Sequence, residues 1–170
     1  MKIDLTEDFF LVSRALEKRI HNFDPVTNPC PEPKTDRISY ILLGYQLNEW
    51  SLISIYFDGR SQSEPDGSWT LFQDKTSIEM DHWSKAMMSD EPVTVTQISG
   101  KTTQIDANSE DFLEIFGEML KAVLIQARNQ GLLAKLPLAP DCLMGVEELD
   151  GCFGWPPYEN RRQEGSVIQK

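Results

Sequence analysis

At 170 residues, with 40% hydrophobic and 25% charged side chains, the composition is that of one globular domain, so residues 1–170 are expected to share a single core. Its 27 acids outweigh 16 Lys and Arg for a net charge of −11. That balance argues against sequence-independent binding to nucleic acid or to an anionic membrane, since both would be repelled, and makes a basic partner the natural complement.

The first periodic segment spans residues 6–23, with Phe9, Val12, Leu16 and Ile20 on one stripe, and predicts an amphipathic helix capped by Asp4 or Thr6. Asp4 and Glu7 have the separation of a capping box. Residues 25–33 carry four prolines, which fix the backbone, remove amide donors and predict an extended surface connection. Two β-branched and aromatic runs follow, 38–45 and 50–57, separated by four residues, and predict a hairpin. A polar turn over 58–67 leads to a third expected strand, 68–72, in meander order.

From 77 to 88 the pattern becomes helical, with Ile78, His82 or Trp83, and Ala86 or Met87 available as the inward face. The segments 93–98 and 102–105 flank Ser99, Gly100 and Lys101 and predict a second hairpin. The strongest helix follows, with Asn108 or Ser109 as its cap and acids at Glu110, Asp111 and Glu114 near its positive end. Phe112, Phe116, Leu120, Val123, Leu124 and Ala127 form its apolar face, and Gly131 its stop. Residues 131–170 are rich in turn formers yet apolar; they are expected to wrap over the domain, with a helical turn at 146–149 and a frayed last ten residues. The order α-β-β-β-α-β-β-α predicts an α+β domain with one antiparallel sheet flanked by helices.

Catalytic motifs are missing. Neither Gly-x-x-x-x-Gly-Lys-Ser/Thr nor Gly-x-Gly-x-x-Gly is present to bring backbone amides to phosphate, and Gly-x-Ser-x-Gly and His-Glu-x-x-His are absent too. Only His21 and His82 offer imidazole, so no catalytic residue, metal ligand or cofactor is expected. Asp81 beside His82 is a poor acid–imidazole pair, because adjacent helical residues do not face each other. Cys30, Cys142 and Cys152 are odd in number and none are at Cys-x-x-Cys spacing, which fits a reducing cytoplasm. The first eight residues lack the apolar core of a secretion signal, and no run reaches the length of a membrane span.

Charge is more informative. Residues 58–119 hold thirteen acids against four bases and so carry −9 of the −11. This acidity either keeps the domain soluble or forms a face, and a face would combine steering carboxylates with aromatic anchors. The candidate partner-binding residues are Asp58, Glu64, Asp66, Trp69, Asp74, Glu79 and Asp81.

The apolar strand pair within 38–57, the acidic middle and the missing active site together resemble bacterial immunity proteins of contact-dependent growth inhibition and polymorphic-toxin systems. The resemblance implies a small cytoplasmic α+β domain that neutralises a cognate toxin by occluding it, here a basic toxin met through the 58–91 segment. It carries no family binding residue onto a position of this chain. The alternative is a small enzyme or ligand-binding domain whose pocket draws on Tyr40, Tyr56, Trp69, His82 and Cys142.

Overall fold

The computed structural model describes residues 1–27, 29, 36–47, 51–59, 72, 76–106, 109–149 and 154–155. A short strand, β1 (Lys2–Asp4), leads directly into helix α1 (Leu5–Asn22). Asp4 is the cap: its carboxylate accepts from the Thr6 amide at 2.9 Å, satisfying one of the donors a helix start leaves unpaired. Leu5, Phe9, Val12, Leu16 and Ile20 fall at helical spacing and are buried together.

The expected hairpin forms as β2 (Ile38–Gln46) and β3 (Leu52–Asp58), antiparallel with Leu43 opposite Ile55. The expected strand at 68–72 lies outside the described residues apart from Phe72, which is irregular and donates its amide to Phe57 at 3.0 Å. Among the described residues the strand that flanks β3 is β4 (Thr76–Glu79), followed by helix α2 (Asp81–Met87). The helical reading of 77–88 therefore holds only for its second half. Thr76 to Glu79 has no 3.6-residue apolar period to defend, and pairing with β3 satisfies its backbone.

The second hairpin is β5 (Val93–Thr96) with β6 (Thr102–Ile105), its turn placing Gly100 at φ +81°. Helix α3 (Glu110–Asn129) follows with the expected apolar face. Ser109 occupies its cap position but turns its hydroxyl back to donate to the Asp106 carbonyl at 2.7 Å, leaving the helix amides to other partners; Asn108 lies outside the described residues. At the other end Gly131, at φ +70°, lets Leu132 donate to Ala127 and Gly131 to Arg128, the paired bonds of a Schellman stop.

The largest departure is in the tail. After a 3-10 turn (Leu133–Lys135) the chain runs as an eleven-residue strand, β7 (Leu138–Glu148), parallel to β2, and pairs with the two-residue β8 (Gly154–Trp155). The helical turn expected at 146–149 is thus the end of a strand. The fold is α+β, but among the described residues the single antiparallel sheet is replaced by two mixed ones: β1-β5-β6, with β1 parallel to β5, and β4-β3-β2-β7-β8. Pro140, which cannot donate to a ladder, falls where the β2–β7 register slips between Ile38 and Tyr40.

Helices α1 and α3 cover one face of the five-stranded sheet. Phe57 meets Phe23 edge-on at 5.1 Å, and Tyr45 contacts Phe116 and donates its hydroxyl to the Leu113 carbonyl at 2.9 Å. On the opposite face, Gly44 and Gly145 leave room for the tyrosine rings of neighbouring strands. A Cβ on Gly44 would meet Tyr56 Cε2 at 2.9 Å and Leu149 Cδ2 at 3.1 Å, both side-chain atoms. A Cβ on Gly145 would run into Tyr40 Oη and lie 2.9 Å from the Trp155 carbonyl, which is backbone. Gly145→Ala should therefore cost more than Gly44→Ala, about 2–3 kcal/mol against about 1 kcal/mol by chemical denaturation, because only the Gly44 clash can be relieved by rotamers alone. Equal losses would contradict this packing.

Candidate functional site

Helix α2 is seven residues long, too short to persist alone, and is held by Trp83. The indole is fully buried, with ring centroids 4.9 Å from Phe112 and 4.3 Å from Phe116 of α3. Its Nε1–H donates to Asp8 Oδ2 of α1 at 2.8 Å, while His82 Nε2 stands 2.9 Å from Asp8 Oδ1. The Asp8 side chain is 5% exposed and the His82 side chain 42%. The acid that orients His82 is therefore Asp8, 74 positions earlier, and not its neighbour Asp81. Sequence spacing carries no signal for this contact beyond an acid on the apolar stripe of α1. Chemically, both carboxylate oxygens are engaged by donors from α2, so the group ties two helices together while presenting one edge of an imidazole to solvent.

The acids around α2 form the main surface feature. Val93 stands opposite Ile105, so residues 90–92, which enter β5, lie beside Asp106, which leaves β6. The Ser109–Asp106 hydrogen bonds close a turn that starts α3 at once. Asp90, Glu91, Asp106, Glu110 and Asp111, all exposed, therefore belong to segments that meet at one end of the three-stranded sheet, and Met88, 64% exposed, precedes the first of them in the chain. Glu110, Glu114 and Glu118 continue the charge along α3 at four-residue spacing. Like charges so placed cost helix stability; the helix dipole compensates Glu110 but fades before Glu114 and Glu118. Lys121 meets Glu118 at 3.0 Å.

Of the residues expected to bind a partner, Asp58 is fully buried in β3 and is removed from that role: it stands in register with Tyr40 inside the five-stranded sheet. Glu79 and Asp81 are exposed at the start of α2, about 10 Å from its acidic far end. Glu64, Asp66, Trp69 and Asp74 lie outside the described residues. The acids that do converge, from Asp90 to Asp111, were legible as charge but not as neighbours.

The alternative pocket does not assemble from its described members. Tyr40 and Tyr56 share the sheet face away from the helices, Cys142 is buried on the helix side, and His82 belongs to α2; Trp69 is outside the described residues. Among the described residues no three His, Cys, Asp or Glu side chains stand close enough to hold a metal, and no helix is long and apolar enough to cross a membrane. Compared with family models, curated proteins and solved structures, the chain matches none.

Two outcomes follow. Asp8→Ala strands the buried Trp83 N–H and should cost about 2–4 kcal/mol in urea unfolding, whereas Asp8→Asn keeps an acceptor and should cost less; equal, negligible losses would remove Asp8 as the tie. Burial, and secondarily the Asp141 carboxylate, push the Cys142 thiol from 9.0 up to about 12. Its folded value is the higher one, so stability is unaffected below pH 9 and falls as pH climbs from about 9 towards 12, where only the unfolded thiol ionises. Cys142→Ala should flatten that decline, and iodoacetamide with peptide mapping at pH 8 should label Cys142 only after denaturation. Labelling of the native protein would contradict the burial.

Proposed function

We propose that this chain is a non-catalytic cytoplasmic binding protein that neutralises a basic bacterial toxin domain by occluding it, the acidic end formed by Asp90, Glu91, Asp106, Glu110 and Asp111 being the contact surface. The observation that carries this reading is the meeting, at the close of one hairpin and the start of α3, of three chain segments that carry five exposed carboxylates, with an exposed methionine two residues before the first of them. Regional acidity in sequence has become regional acidity in space. Methionine adapts its shape to a partner surface, and carboxylates around it raise the rate of encounter with a cation-rich protein.

Co-expression with the neighbouring gene's product tests the reading: a complex that survives purification, with toxicity relieved, is expected, and the absence of both would end it. Within such a complex, Asp90→Lys, Glu91→Lys and Asp106→Lys together should slow association about tenfold or more at low salt and flatten its dependence on ionic strength. Unchanged kinetics would move the interface elsewhere.

A further inference from the structure

A cavity of about 340 Å³ opens between the middle of α3 and the turn at 97–99. Leu5 and Met119 are its buried apolar lining, Ile98 and Ile115 are more open, and Glu114 and Glu118 stand one helical turn apart on the α3 side. Its volume is at the small end of pockets that take small ligands, and it continues the acidic ridge that begins at Glu110.

The chemistry of this lining is selective. An apolar trough suits a methylene stem, and two carboxylates on adjacent turns, their Cβ atoms roughly 5–6 Å apart, suit a planar cation with several donors better than a point charge. Glu118 is 52% exposed and is held by Lys121 in a surface pair, an interaction weak enough to yield to a competing cation. Glu114, by contrast, is exposed and pairs with no basic group among the described residues. Lys101, whose amide reaches the Ser99 hydroxyl, brings the opposite turn a positive charge, and the carboxylates lie on the α3 side alone. The balance leaves room for a single positive head group on the α3 side.

We infer that this cavity is a receptor for one arginine side chain of a basic protein partner, its stem against Ile98, Ile115 and Met119 and its guanidinium between Glu114 and Glu118. The inference rests on the acidic-surface reading and sharpens it, because it adds to diffuse steering a single anchored residue of the kind that concentrates binding energy in protein interfaces. The occupant is a protein side chain, since the cavity adjoins a broader surface of the same sign instead of closing around a free metabolite.

The test uses the full chain, ¹⁵N-labelled, titrated at low ionic strength with N-acetyl-arginine methylamide, and in parallel with the citrulline analogue, which has the same shape without the charge. Saturable amide shifts confined to Leu5, 97–99 and 114–119, in the millimolar range, are expected for arginine and not for citrulline. Glu114→Gln, an exposed change compatible with the helix, should weaken binding about tenfold, the equivalent of losing one charge-assisted hydrogen bond. Equal shifts for both probes, unsaturable shifts spread over all the acids, or no effect of Glu114→Gln would each overturn the assignment. The two levels separate cleanly. If arginine fails here while the Asp90, Glu91 and Asp106 reversals still slow association, only the cavity assignment falls; if arginine binds while those reversals change nothing, the acidic-end reading falls and the cavity stands.

Discussion

A buried indole needs an acceptor for its N–H, and a buried carboxylate needs donors. Trp83 and Asp8 meet both needs with one 2.8 Å hydrogen bond, and His82 takes the remaining oxygen. Because α2 has only seven residues, this contact and the ring packing on Phe112 and Phe116 decide where the helix lies. The position of α2 in turn decides where Met88 emerges and from which side the chain enters β5. The acidic end thus depends on a contact made at the far side of the helix from it. A loss at Asp8 would be felt there as disorder of the 88–92 segment, not as lost charge.

The second constraint is the insertion of β7 between β2 and β8. A strand that arrives after α3 and pairs parallel to β2 cannot use a tight turn; it needs a crossover, and α3 with its Schellman stop supplies one. Met144 and Val146 then face α1 and α3, and Gly145 faces Tyr40. The glycine is used for close approach, so the same residue type that makes the tail read as a loop is what allows it to lie in the sheet.

The amphipathic helices and both hairpins are legible in the sequence because their signal is local: Phe9, Val12, Leu16 and Ile20 repeat at helical spacing, and Ile53, Ile55 and Phe57 alternate. β7 is not legible in the same way. Pro137, Pro140 and Gly145 are turn formers by composition, and it is pairing with β2 and β8 that gives their segment a ladder. β4 is too short to show a period and is defined by β3. For the site, regional charge was readable but its geometry was not. Asp58 reads as the first acid of a polar turn yet ends β3 in full burial, while Asp106 and Asp90 become neighbours only through the register that sets Val93 against Ile105. Asp8 carries the tie to α2, but an acid between Leu5 and Val12 gives no local sign of its partner: its burial and the donor that burial requires appear only once α1 and α2 are packed.

The exposed carboxylates along 90–118 are costly to hold together and are not explained by packing: Glu114 and Glu118 lie past the reach of the helix dipole and repel each other. A cationic protein seated on them would remove that repulsion. Hydrogen–deuterium exchange of the chain, alone and with its partner bound, tests this account most directly. It predicts new protection in 88–92, at the 97–99 turn and along the first half of α3. Protection confined to the opposite sheet face, around Leu42, Tyr56 and Leu143, would contradict it.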